Sequence, residues 1–127
     1  MAKTKQFTIT IPNQPGALAA IAKPLAGAKV NLLSLLATAQ GTSATVQVVT
    51  EDAKRAKKAL DEAKIAYQET VAEEYELPNK PGALAQALDK LAAKGVNLNS
   101  LYATASKGGK KAVVVYTAEA QTTSASV

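Results

Sequence analysis

The segment Ile11–Leu35, "IPNQPGALAAIAKPLAGAKVNLLSL", returns almost word for word as Leu77–Leu101, "LPNKPGALAQALDKLAAKGVNLNSL". Pro12, Asn13, Pro15, Gly16, Leu18, Val30 and Asn31 recur 66 positions on (78 less 12) as Pro78, Asn79, Pro81, Gly82, Leu84, Val96 and Asn97. Ala37-Thr38-Ala39 recurs as Ala103-Thr104-Ala105. Two Ala-rich helices that resemble each other by chance do not also share asparagines and glycines at fixed spacing, so the chain is a duplication. A one-residue insertion near Lys107 to Lys111 is then expected to bring Thr50 onto Thr117. A chain of 127 residues therefore divides into two units, expected at 1–69 and 70–127. Units of this size are marginal alone, which favours packing in pairs.

Each unit carries the same series of local signals. "QFTITI" alternates, with Phe7, Ile9 and Ile11 on one face, and predicts a half-buried strand. Leu18, Ile21, Ala22 and Leu25 follow at helical spacing, with Pro15 expected at the first helical position. Pro24 falls inside that helix and predicts a kink or a loosened middle. "VNLLSLLATA" and "ATVQVVT" predict two strands about the turn-prone "QGTS". Thr50 is expected to cap a second helix whose thin apolar face is Ala53, Ala56, Leu60 and Ala63. Ile65, Tyr67, Val71, Tyr75 and Leu77 share one parity, so the last strand of unit one is expected to run directly into the first strand of unit two. The order βαββαβ is the ferredoxin-like arrangement, an α+β fold with antiparallel strands and helices on one face. Unit two has no room for its second helix and fourth strand. It is expected to be truncated after its third strand, with a polar, disordered tail over 118–127.

Composition narrows the chemistry. The chain has no cysteine and no histidine, which removes thiol catalysis, disulfides, imidazole triads and His-based metal sites. The start lacks the apolar stretch of a signal peptide, and no window is apolar enough to span a membrane, so a cytoplasmic protein is expected. The net charge of +5 is dispersed. Its richest stretch, "EDAKRAKKALDEAK", mixes both signs and reads as a solvated helix face rather than a nucleic-acid patch. Aromatic residues are only 4%, too few for base-stacking platforms. Glu73, Glu74 and Glu76 alternate in facing and read as a solvated edge rather than an acid pair. "SKGGKK" lacks the ending of a phosphate loop and reads as a hairpin turn. No catalytic residue, metal site or cofactor is expected.

The repeated corner is where chemistry can sit. Pro15 forces Gln14 to be extended, so the strand gives way abruptly to a helix. The free N–H donors nearest the helix tip are expected on Gly16 and Ala17, and a glycine lets a ligand approach the backbone. Asn13 lies beside them with an amide that donates and accepts. Asn31 follows the helix C-terminus, either as a ligand contact or as a tie for a turn. Donors for a carboxylate, amide oxygens for an ammonium, and Leu18 with small alanines for a side chain suit a free amino acid.

"NQPGAL…VNLLSL" and "NKPGAL…VNLNSL" resemble the ACT domain, the small amino-acid-sensing module of metabolic regulation. The resemblance covers about Gln6 to Thr117, and the layout is similar to stand-alone proteins made of two ACT units. "VNLNSLYATAS" also looks like the matching segment of acetolactate synthase regulatory subunits. The resemblance implies a non-enzymatic allosteric sensor with a site between paired ACT units. Asn13, Gln14, Gly16, Ala17 and Leu18 would contribute from one unit, with Asn31 from that unit or its mate. The counterparts are Asn79, Lys80, Gly82, Ala83, Leu84 and Asn97. Paired units often join second strands edge to edge, which implies a homodimer or higher homo-oligomer and a partner enzyme of amino-acid metabolism. Some serine-sensing members carry histidine two residues before the motif asparagine. Ile11 and Leu77 stand there, which argues against serine. The alternative is an interaction module that oligomerises without ligand.

Overall fold

The alternation of Phe7, Ile9 and Ile11 with polar neighbours builds strand β1, Ala2–Pro12, in a computed structural model that describes residues 2–118. Then come α1 (Ala17–Gly27), β2 (Leu32–Gln40), β3 (Ser43–Thr50), α2 (Ala53–Glu62), β4 (Gln68–Pro78), α3 (Ala83–Ala93), β5 (Leu98–Ala105) and β6 (Lys111–Ala118). The chain forms two compact units, one of Thr4–Val71 and one of Ala72 onward with the residues before Thr4. Of the same-parity apolar residues, Val71, Tyr75 and Leu77 lie on one uninterrupted strand, β4, while Ile65 and Tyr67 precede it. The expected disorder of the tail falls, from residue 119 on, outside the described residues.

In the first unit the strand order β2-β3-β1-β4 with two helices is the ferredoxin-like arrangement. Register places Phe7 opposite Val48 and Ile9 opposite Val46, and Val48 and Val46 face Leu35 and Ala37 on β2. That face meets Ile21 and Leu25 of α1 and Ala56, Ala59 and Leu60 of α2 in one buried cluster. Ala59 had not been expected on the buried face of α2, whereas Ala56 and Leu60 had. Phe7 is fully buried and meets Tyr67 edge to face at 5.3 Å between ring centroids. α1 continues past Pro24, and Ala28 N–H closes onto the Pro24 carbonyl at 3.1 Å.

Three local expectations are corrected. The cap of α2 is Asp52, whose carboxylate accepts from Arg55 N–H at 3.0 Å; Thr50 is spent as the buried last residue of β3. A carboxylate reaches the N3 amide at a helix start and is favoured there by the dipole. Both corner helices begin at Ala17 and Ala83, two residues after the prolines, because Gly16 and Gly82 take left-handed φ of 85° and 87° as N-caps. The insertion in the second hairpin is two residues. Leu32 pairs with Thr50 and Leu98 with Ala118, so the offset on the returning strand is 68 (118 less 50). An even insertion keeps every side chain on its own face, whereas a single residue would turn the strand inside out.

Among the described residues the second unit has the order β4-β6-β5 and one helix, α3, which buries Ala83, Ala87 and Leu91. Even the irregularity at the start of the second strand is repeated, between Leu32 and Ser34 and between Leu98 and Ser100. Tyr75 and Tyr116 meet edge to face at 6.1 Å, and burial raises the pKa of both hydroxyls. Glu73, Glu74 and Glu76 stand on a strand paired with β6 rather than on a sheet edge, and Glu76 accepts from Lys111 Nζ at 3.3 Å. "SKGGKK" is the β5–β6 turn, closed by Gly109 N–H on the Ser106 carbonyl at 2.8 Å. Among the described residues no helix is long and apolar enough to cross a membrane.

Candidate functional site

Each corner is built by its asparagine. Asn13 donates its backbone N–H to the Thr42 carbonyl at 2.9 Å and its Nδ2–H to the Gly41 carbonyl at 3.0 Å. Asn79 repeats both bonds, to Lys110 at 2.9 Å and Gly109 at 2.8 Å. The side-chain amide thus fastens the tip of the following hairpin beside the helix start, and Oδ1 keeps the acceptor capacity of the group. The motif asparagine shapes the corner as well as lining it.

Of the expected pair of main-chain donors at each corner, the alanine is engaged and, among the described residues, the glycine is not. Ala17 N–H is taken by the Gln14 carbonyl and Ala83 N–H by the Lys80 carbonyl, each at 3.2 Å. The first helical bonds run from Ala20 N–H to Gly16 O at 3.1 Å and from Gln86 N–H to Gly82 O at 3.0 Å. The tip donors are therefore those of Gly16, Leu18 and Ala19, and of Gly82, Leu84 and Ala85. The corner is open: a Cβ added at Gly16 or Gly82 meets no heavy atom within 4 Å. Replacing either glycine by alanine therefore meets conformational strain and no clash. Gly16→Ala and Gly82→Ala are each expected to destabilise by about 1–2 kcal/mol, read as a lower denaturant midpoint at unchanged slope.

In the second unit the corner opens on a recess of about 210 Å³. Asn79, Lys80, Ala83 and Leu84 line it from the corner, with Pro78 and Leu77 behind them. Ala103, Thr104 and Ala105 close it from β5, with Ala112 and Val114 of β6 as the floor. The recess is smaller than the ~300–1,000 Å³ of clefts that hold drug-sized ligands, and it mixes apolar walls with a few polar groups. The β5 residues were not singled out from sequence as site residues. The repeated Ala-Thr-Ala was the available signal, since small residues on an edge strand leave room for a ligand.

Asn31 is elsewhere. Its Nδ2–H donates to Glu51 Oε1 at 3.0 Å, and its carbonyl accepts from Glu51 N–H at 3.0 Å, at the far end of β3 from Asn13. An eight-residue strand separates the two ends by roughly 26 Å. Asn13 and Asn31 of one unit cannot touch the same small ligand. Asn31 ties down a turn within its unit, and Asn97 occupies the matching place before β5. Leu18 is 38% exposed on α1, and Gln14 and Gly16 are exposed at the corner. Among the described residues no cluster of three His, Cys, Asp or Glu side chains could hold a metal ion.

The fold recurs in solved proteins. One from Bacteroides thetaiotaomicron is 29% identical over 94% of this chain and 82% of its own, with a TM-score of 0.83. The regulatory subunit of aspartate kinase from Thermus thermophilus is 18% identical, covers 94% of this chain and 85% of its own, and gives a TM-score of 0.70. That from Thermus flavus is also 18% identical, over 91% and 82%, with a TM-score of 0.60. No curated protein matches the sequence. The family model described as an ACT domain pair matches residues 2–127. With both corner helices, both hairpins and the shared strand in place, the chain belongs to the ACT domain pair family.

Proposed function

We propose that the protein is a non-catalytic regulatory sensor that binds a free amino acid at its strand-to-helix corners. The observation that carries this reading is the recess at Asn79. Lys80 and the tip amides of α3 offer positive potential to a carboxylate. Asn79 Oδ1 can accept from an ammonium, and Leu84 with Ala103 and Ala105 can receive a small side chain. In the first unit Asn13, Gln14, Gly16, Ala17 and Leu18 offer the same corner without the lysine, so the two sites are expected to differ in affinity. The aspartate kinase subunits of like fold are named as regulatory subunits, which fits a regulatory role.

Asn31 enters the site from a second copy of the chain. β2 ends the first unit's strand order, and it exposes Leu32, Leu33, Leu35 and Leu36 by 38–41%. Unpaired strand edges with apolar side chains favour pairing with another chain. β2 runs from the Asn31 end to the Gly41 end, so antiparallel pairing of two β2 edges carries Asn31 of each copy to the Asn13 corner of the other. Two equivalent sites result from the twofold symmetry. Ligand then favours the paired state through its differential affinity, and a partner enzyme of amino-acid metabolism reads that state.

The test is a thermal-shift screen of the twenty amino acids with sizing of the free and bound protein. Ligand at about 100 times its dissociation constant is expected to add about 2.7 kcal/mol of stability. Asn79→Ala is expected to weaken the response while the protein stays folded. A stable oligomer indifferent to every amino acid would sink the sensing reading and leave the exposed leucine edge as an interaction surface alone.

A further inference from the structure

The second unit keeps a groove that the first unit fills with its own helix. In the first unit Ile9, Ile11, Ile21 and Leu25 lie in the core, at 1%, 9%, 4% and 1% exposure. α2 packs with them through Ala56, Ala59 and Leu60 and contacts α1 directly. The counterparts 66 residues on are Tyr75, Leu77, Ala87 and Leu91, and with Ala83 they line an open groove of about 330 Å³ beside α3. The groove thus has the floor of a helix site, and among the described residues no helix follows β6 or lies on it.

Its rim is chemically distinct from the first unit's. Pro24 and Ala28 of the α1 stretch are replaced by Lys90 and Lys94, both exposed and both lining the groove. Neither lysine has an ion-pair partner among the described residues. Cations in the last turn suit the dipole of α3, but the dipole does not dictate which flank of the helix they occupy. Here both stand at helical spacing along the groove, and Gln86 precedes them on the same flank.

We propose that this groove docks an amphipathic helix of a partner protein, with Ala and Leu on one face and Asp or Glu along the flank that meets Lys90 and Lys94. The eleven residues of α3 give the groove a length of roughly 16 Å, about three helical turns. The apolar face follows from the first unit, where Ala56, Ala59 and Leu60 do the same task. The acidic flank follows from the unpaired lysines. Another copy's α2 is the wrong occupant: it is packed in its own core and would bring Lys54, Lys57 and Lys58 toward a cationic rim. The groove adjoins the corner recess and shares Leu77, Pro78 and Ala83 with it, whereas Ala87, Lys90, Leu91 and Lys94 line the groove alone.

Two synthetic peptides test it against the full chain. One carries residues 51–64, and the other carries the same residues with Lys54→Glu, Arg55→Glu, Lys57→Glu and Lys58→Glu. Binding is followed by the anisotropy of a dye on the peptide and by amide shifts of the protein. The acidic peptide is expected to bind about tenfold tighter than the basic one, to perturb Ala87 and Leu91, and to weaken with added salt. The double variant Lys90→Glu with Lys94→Glu, both exposed, is expected to reverse the preference while leaving the melting curve in place. Equal binding of the two peptides, shifts confined to other surfaces, or indifference to the charge reversal would each overturn the proposal. So would acidic-peptide binding that appears only after removal of residues 119–127, since the chain's own tail would then be the occupant.

Discussion

Phe7→Ala is expected to destabilise the first unit by about 3–5 kcal/mol. The ring is fully buried and sits between Val48 across the strand pair and Tyr67 edge to face, so truncation leaves a cavity that β-strand neighbours cannot collapse to fill. In a small domain this loss lowers the melting temperature by on the order of 10–20 °C. Val71→Ala, at 50% exposure, is the control and is expected to cost less than about 1 kcal/mol. A Phe7→Ala protein that melts within a few degrees of the parent would show that the core is organised around other residues.

Thr104→Glu is expected to remove ligand binding at the second corner while sparing the fold. Thr104 is exposed on β5 and lines the recess opposite Lys80 and the tip of α3. A carboxylate there competes for the same cationic groups and repels that of the amino acid. At about 5 Å and an effective dielectric near 20 that repulsion is roughly 3 kcal/mol, close to a hundredfold in affinity. Calorimetry with whichever amino acid stabilises the parent reads the loss, and the melting curve without ligand is expected to stay within about 1 kcal/mol. Undiminished affinity in Thr104→Glu would place the ligand elsewhere than this recess. Failure here leaves the groove beside α3 untouched, because none of the lysines tested there lines this site.

The repeated sentence made the fold legible because its signals are local. Alternation at Phe7, Ile9 and Ile11 and helical spacing at Ile21 and Leu25 report which face of an element is apolar, and the structure buries those faces. Parity through Val71, Tyr75 and Leu77 foretold the uninterrupted β4, although Tyr67 falls just before it. Errors arose where two local solutions compete within one or two residues. Proline favours a first helical position, but a left-handed glycine after it moved the start to Ala17 and Ala83. Threonine caps helices well, yet Asp52 lay two residues closer to α2 and took the role. The size of the hairpin insertion was invisible in identities and plain in the strand register.

Sequence alone determined the duplication, the order of the elements, the apolar faces and the open glycine corners, since each depends on residues within a turn or two of one another. Tertiary structure alone decided where the asparagines spend their hydrogen bonds. Asn13 reaches Gly41, 28 residues away, and Asn31 reaches Glu51 at the other end of the unit. It also decided that Ala17 and Ala83 amides are engaged, that β5 walls the second corner, and that α3 flanks a groove floored by Tyr75 and Leu77. A hydrogen bond or a cavity wall needs two groups brought together by the folded chain, and no spacing along the sequence records which strand will arrive beside which loop.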